Sequence, residues 1–280
     1  MLEAYFVRHK LLAGPKILER LWTEGLVALH YADNMSTRPQ DYERSGEVAL
    51  TRLHEAAKHG AVVGAEYRAF RQGSIRVGRI DAGSKVEAEA FVDASSGRTS
   101  IYKFVRMTAV KEVRYLDAPA LAGLRPQQAT ITKWPSARVL LNAITNNLPL
   151  PVEVTTLDPA QLEVLCFEYL RMKGILSRLL APIGRTMIDV DILGLDFAGR
   201  RVAAQVTHQQ NPALVQAKVA ALKAHAAVGM RLVMFAPKGT VTDASVEHVP
   251  IEDAFATLLG DVEGHGKAMV AEMLGQRRLP

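Results

Sequence analysis

The sequence predicts an α+β protein of two domains, a small β-barrel over residues 1–150 followed by an α/β core over residues 151–280. Three observations carry this reading. Between Ala61 and Tyr115 the chain is a succession of short β-type segments separated by turns containing Gly and Ser, with few helices among them. From Pro159 onward, helix-like and strand-like segments alternate, the pattern of an α/β layer. Between them, Leu116–Pro151 contains Pro119, Pro126, Pro135, Pro149 and Pro151 and reads as a connection, with the boundary near Leu148–Leu157.

The elements follow in order. A helix over Pro15–Glu24 starts with a proline suited to a first turn and ends at Gly25, and a strand Gly25–Tyr31 follows. Glu47–His59 has helical spacing, with Val48, Leu50, Leu53, Ala56 and Ala57 as its apolar stripe and Gly60 as its end. Strands are expected over Ala61–Arg68, Ser74–Ile80, Lys85–Asp93 and Tyr102–Tyr115; closing them into a barrel would remove exposed edges. A short helix fits Ser136–Thr145. In the second half come a helix Pro159–Lys173, a strand Met187–Gly194, a turn at Phe197–Arg200 and a strand Arg201–Gln209. A helix from Pro212 to Ala227, a buried strand Met230–Ala236, a short strand Ala244–His248 and a helix Ile251–Leu259 complete it.

Composition excludes several classes. At 280 residues, with 49% hydrophobic residues, the chain can bury a core in each half and is globular rather than disordered. No apolar run is long enough for a bilayer, and Met1–Ala4 lacks the charged start and apolar core of a signal peptide. Cys166 is the single cysteine, so no disulfide framework or cysteine metal cluster is expected and a reducing cytoplasm is the default location. The net charge of +5 is uneven: residues 1–150 carry 21 basic against 15 acidic side chains, residues 151–280 carry 13 against 14. The excess concentrates between Arg98 and Arg138, where eight basic residues face only Glu112 and Asp117, a pattern that favours a polyanion. Arg106, Lys111, Arg114 and Lys133 from that stretch, with Arg185 of a later basic loop, are the phosphate-binding candidates; a merely solvated face is the alternative.

The stretch with most chemistry is Asp158–Gln210. Strand alternation puts Asp189 and Asp191 on one face of the first strand, and Gln205, Thr207 and Gln209 on one face of the second. A hairpin turn would set the two polar faces side by side, and with Glu163 on the preceding helix they form a cup suited to a divalent cation. An EF-hand reading of Asp189-x-Asp191-x-x-Gly194 fails because Leu193 and Arg200 fall at ligand positions. The eight histidines show no metal spacing, His208 is expected to face away from Thr207, and no phosphate-binding glycine loop or Ser or Cys nucleophile motif is present.

A helix with Glu, an Asp followed by aliphatics and Gly, and a hairpin into Gln resembles the PD-(D/E)xK, or restriction-endonuclease-like, nucleases, and within them the Mrr type. The resemblance covers residues 155–260. It implies that Glu163, with Glu168 as the other choice, is the helix acid, Asp191 the metal-binding Asp and Gln205 the Gln of the second motif, around Mg²⁺ or Mn²⁺. The chain departs from the pattern where the family has Lys, since Thr207 stands there; Lys218 or Lys223 from the next helix could supply an ammonium. The layout of residues 1–135, on Gly25–Tyr31, the run GAVVGAEYR over Gly60–Arg68 and Val77–Ile80, resembles the PUA-like superfamily, including its EVE and YTH groups. That resemblance implies a nucleic-acid or modified-base reader with an aromatic cage, for which Trp22, Tyr31 and Tyr67, along with Phe70 and Trp134, are candidates; the alternative for each is a core aromatic.

Together these expectations describe a modification-dependent, type IV-like DNA endonuclease that acts in defence against foreign DNA and cleaves as a homodimer. Two alternatives stay open: a nucleic-acid-binding protein whose nuclease site is inactive, and a regulatory protein that binds a partner rather than nucleic acid.

Overall fold

The computed structural model describes residues 1–9, 15–68, 70–92, 97, 99–126, 130–149, 151–184 and 188–275. Two compact units, Met1–Pro151 and Val152–Pro280, divide the chain, and the protein is of mixed α+β class. Among the described residues no helix is long and apolar enough to cross a membrane.

The first unit runs β1 (Glu3–His9), α1 (Pro15–Thr23), β2 (Leu26–Leu29), α2 (Arg44–His59), β3 (Ala61–Tyr67), β4 (Ser74–Ile80), β5 (Glu87–Val92), β6 (Thr99–Arg106), β7 (Thr108–Arg114), α3 (Pro119–Gly123), β8 (Ile131–Lys133) and α4 (Arg138–Thr145). The strands expected to close into one barrel form two ladders, β7-β4-β3-β1-β8 and β2-β6-β5. The single strand expected over Tyr102–Tyr115 is two strands, because the chain changes ladder at Met107, whose side chain is buried and whose N–H donates to Gly25 O. In the larger sheet β1 and β3 are parallel, with Arg8 opposite Glu66.

Period-two alternation divides that sheet between two cores. Tyr5, Val7, Val63, Ala65 and Tyr67 pack with α1, α2 and the smaller sheet, whereas Ala4, Phe6, Val62, Ile75 and Val77 pack with α3, α4 and Trp134. Every residue of β3 is therefore buried. Gly64 lies at its centre because Trp134 Cζ3 and Ile75 Cδ1 would stand 2.7 and 2.8 Å from a Cβ there. On α2 the buried stripe is Ala49, Leu50, Leu53, Ala56 and Ala57. Val48, expected in it, is exposed, since the step of four back from Leu53 leads to Ala49. Each buried leucine there contributes roughly 2 kcal/mol.

The second unit runs α5 (Pro159–Met172), β9 (Arg178–Leu179), β10 (Ile192–Leu195), β11 (Arg201–Val206), α6 (Pro212–Lys223), β12 (Arg231–Ala236), β13 (Glu247–Pro250), α7 (Ile251–Leu259) and α8 (His265–Met273). Its sheet has the order β13-β12-β11-β10-β9, with β11, β12 and β13 parallel and β10 antiparallel to both neighbours. Helix α6 is the crossover from β11 to β12. Val202, Ala204 and Val206 point to the core of α5, α7 and α8, and Ala203 to the core of α6, so the sheet is the middle of three layers. Both strands of the expected hairpin are shorter than read. Asp189 has φ of 65°, a left-handed value that breaks extended alternation, and the antiparallel ladder begins only at Ile192. Asp189 and Asp191 therefore do not share a strand face.

Candidate functional site

The carboxyl end of β11 opens into a cleft of about 590 Å³ lined by Pro159, Leu162, Glu163, Asp191, Gln205, Val206, Thr207, His208, Gln209, Gln210 and Lys218. Ligand sites of open α/β sheets favour this end of the strands. The residues expected to form the catalytic constellation, Glu163, Asp191, Gln205, Thr207 and Lys218, all line it.

Glu163 comes from the first turns of α5, whose start is fixed by Pro159 and by a reciprocal capping box: Gln161 N–H donates to Asp158 Oδ1 at 3.0 Å and Asp158 N–H to Gln161 Oε1 at 3.2 Å. The Glu163 carboxyl packs on the backbone of Gly184, where a Cβ would stand 3.2 Å from Glu163 Cδ and collide with its oxygen. Gly184 also has φ of 67° and donates its N–H to Asp191 O at 2.8 Å, so this glycine ties the helix acid to the aspartate.

Asp191 is held on several sides. Its N–H donates to Ala204 O at 2.9 Å, and its Oδ2 accepts from Gln205 Nε2 at 2.6 Å and from Val206 N–H at 2.8 Å. Both side-chain bonds end on Oδ2, leaving Oδ1 for a ligand. Burial raises the Asp191 carboxyl above the usual aspartate range, and Asp189 adds to this; the Val206 N–H and the charge of Lys218 oppose it. Since Gln205 Nε2 must face the carboxylate, Gln205 Oε1 is the amide atom left over, and it is buried without a hydrogen-bond partner. An orphaned buried acceptor costs about 1–3 kcal/mol, which a cation would offset. No three His, Cys, Asp or Glu among the described residues gather around one metal position. A cation here would thus draw on the amide oxygen as well as the two acids, an all-oxygen set that suits Mg²⁺ or Mn²⁺.

Thr207 is buried, donates its N–H to Phe235 O and accepts the Gln209 N–H on its hydroxyl at 3.2 Å, so it turns the chain at the strand end. The structure separates the two candidate lysines: Lys218 reaches the cleft, while Lys223 Nζ pairs with Asp243 Oδ2 at 2.7 Å. Glu168, the other choice of helix acid, pairs with Arg171 away from the cleft. His208 was expected to face away and instead lines the cleft. β11 ends at Val206, so strand alternation no longer applies; the turn-forming run before Pro212 was the available signal. Its Nε2 is buried without a partner, and burial keeps its pKa below the ordinary histidine value.

The other candidates are placed differently. Trp22 and Tyr67 are 5% and 0% exposed, and the Tyr67 hydroxyl donates to Leu26 O, so both are core residues. Trp134 is buried likewise. Tyr31 lies half-buried in a separate cavity with Tyr42. Trp22, Tyr31 and Tyr67 therefore form no common cage, because α1 and both faces of the larger sheet bury their aromatics. Of the phosphate candidates, Arg106 binds Glu24, Arg114 pairs with Asp117, Lys133 pairs with Glu55, and Lys111 bonds Ile144 O and Asn147 Oδ1. Acids distant in sequence thus neutralise two of the four, Arg106 and Lys133, and the neighbouring Asp117 a third. Arg185 lies outside the described residues.

No family model matches the chain, and no curated protein matches it. Among solved structures it is similar to the crystal structure of a repair endonuclease from Pyrococcus abyssi, at 13% identity over 69% of this chain and 71% of that one, with a TM-score of 0.19. A TM-score of that size carries no argument about fold or activity.

Proposed function

We propose that the second unit is a divalent-cation-dependent phosphodiesterase acting on nucleic acid as an endonuclease. One observation carries the reading: Asp191 and the orphaned amide oxygen of Gln205 are locked together in the cleft that Glu163 and Lys218 also line. Asp191, Gln205 and Glu163 would hold Mg²⁺ or Mn²⁺, which when bound supplies Lewis-acid polarisation of a phosphodiester oxygen. Lys218, with no ion pair among the described residues, puts a positive charge where phosphate oxygens gather charge during displacement. His208, whose pKa burial holds below the ordinary histidine value, offers an imidazole in the same cleft. Leu162 and Val206 line the same cleft.

In the same proposal the first unit selects the substrate, a modified DNA, and two copies act together to cut both strands in defence against foreign DNA. A second reading, a nuclease-like site that binds without cutting, is favoured by Thr207, whose hydroxyl is engaged in a turn where an ammonium would be needed.

The test incubates the protein with Mg²⁺ or Mn²⁺ and with DNAs carrying different cytosine and adenine modifications, alongside Asp191→Ala. Cleavage by the wild type that the variant loses supports the proposal. Salt-sensitive binding without cleavage on any substrate moves the assignment to the inactive site, and neither binding nor cleavage at low salt points to a partner-binding role.

A further inference from the structure

In the first unit, the carboxyl end of β3, the loop into β4, Tyr115 after β7 and Arg125 surround a cavity of about 330 Å³. That volume is at the lower end of small-ligand sites, about 300–1,000 Å³. At its base lies Glu66, whose side chain is 3% exposed. Three donors converge on this one carboxylate, Tyr115 OH at 2.5 Å, Arg68 Nε at 3.0 Å and Arg125 Nη1 at 3.0 Å, and the Arg8 guanidinium stands at ion-pair distance, 3.6 Å. Burial opposes ionisation of Glu66, but the hydrogen bonds from Tyr115, Arg68 and Arg125 outweigh it and hold the carboxyl below the usual range.

Among the described residues, the charge around the cavity does not balance. One carboxylate faces three guanidinium groups, and a fourth, Arg71, lines the same cavity without a carboxylate partner among the described residues. Arg71 is positioned instead over Phe70 and Trp22, 5.3 and 5.8 Å from their ring centroids. Glu66 has room for about four hydrogen bonds and accepts three, from Tyr115, Arg68 and Arg125, whereas each guanidinium carries five N–H donors. Arg125 Nε–H is buried with no acceptor. Ser74 lines the same cavity. Glu66 thus acts as an organiser, fixing guanidinium forks whose remaining donors and excess positive charge suit an anion of more than one charge.

We infer that this cavity binds a phosphate monoester, with Arg68, Arg71, Arg125 and Ser74 contacting the phosphoryl oxygens and Glu66 as a positioning residue. A dianion with three terminal oxygens matches several guanidinium forks and the local charge excess, whereas a phosphodiester has one charge and two substituents to accommodate. The site lies wholly in the first unit and does not rest on the nuclease reading. Such a group has two sources, a free nucleotide or the 5′ end of a nucleic acid.

The test titrates full-length protein at constant ionic strength with inorganic phosphate, a nucleoside 5′-monophosphate, and an oligonucleotide with and without a 5′-phosphate, by calorimetry without added divalent cation. Arg71→Gln is the first variant, because Arg71 is exposed and its loss leaves the Glu66 network in place; Glu66→Gln is the second. Saturable binding of one phosphate per chain, weakened about tenfold or more in Arg71→Gln with the melting temperature unchanged, is the expected result. Tighter binding of the monophosphate identifies a soluble nucleotide, and preference for the 5′-phosphorylated strand identifies a nucleic-acid end. Absence of phosphate binding by the wild type, or equal binding by Arg71→Gln, overturns the inference. A stably folded Glu66→Gln that binds as tightly as wild type removes Glu66 from its positioning role.

Discussion

His9 makes the first unit acid-sensitive by an amount that can be worked out from its surroundings. The ring is 4% exposed and stacks on Tyr67 with centroids 4.1 Å apart. Its Nε2 accepts the Ala28 N–H at 3.1 Å, so Nδ1 carries the proton and donates to Glu66 O at 2.9 Å. A second proton has nowhere to go without opposing the Ala28 N–H. Burial accordingly lowers the pKa from 6.5 to about 4, against the small opposing effect of the Glu66 carbonyl. Between these values the unfolded chain binds the proton and the folded one does not, so stability falls with falling pH. The loss is absent well above pH 6.5, reaches about 2 kcal/mol at pH 5 and levels off near 3 kcal/mol below pH 4. Both tryptophans, Trp22 and Trp134, belong to the first unit, so tryptophan fluorescence in urea reports its unfolding alone. The measured quantity is the stability difference between wild type and His9→Gln, in which titration of every other group cancels. That difference should shift by about 2 kcal/mol in favour of the variant between pH 7.5 and pH 5. A difference that stays constant over this range would refute the buried neutral imidazole.

Three further substitutions probe the framework. Gly64→Ala drives a methyl group into Trp134 and Ile75 and should cost about 1–3 kcal/mol in the same fluorescence assay, with a red shift as Trp134 is displaced. Asp158→Ala removes the capping box of α5 and should lower the stability of the second unit by about 1 kcal/mol, followed by far-UV circular dichroism. Gly184→Ala puts a side chain on a left-handed residue and into the Glu163 carboxyl; it should cost about 1–3 kcal/mol and weaken divalent-cation binding, and an unchanged affinity would separate Glu163 from the cation site.

The parts of this molecule legible in the sequence are those set by local spacing. The start of α5 at Pro159, the limits of β4 at Ser74 and Ile80, and the hairpin that brings the Asp191 segment beside Gln205 follow from proline, glycine and alternation. What escaped depends on partners distant in the chain. Asp189 left the strand because its backbone turns left-handed, and His208 entered the cleft because β11 stops at Val206. Trp22 and Tyr67 read as ligand aromatics until both faces of the sheet proved to be covered. The basic run from Arg98 to Arg138 is neutralised partly by Glu24 and Glu55, acids that lie far upstream in the sequence. Conversely, Glu66 looks like one polar residue in an apolar strand with Arg68 two positions on, and only the fold brings Arg8 and Arg125 to it.

A divalent-cation site formed by Asp191, Gln205 and Glu163 is tested most directly, without recourse to activity, by calorimetric titration of Mn²⁺ and Mg²⁺ into full-length protein and Asp191→Asn. One saturable site per chain, weakened at least tenfold in the variant at unchanged melting temperature, is the result this account predicts. Binding of equal strength in both proteins, or no binding by the wild type, would contradict it.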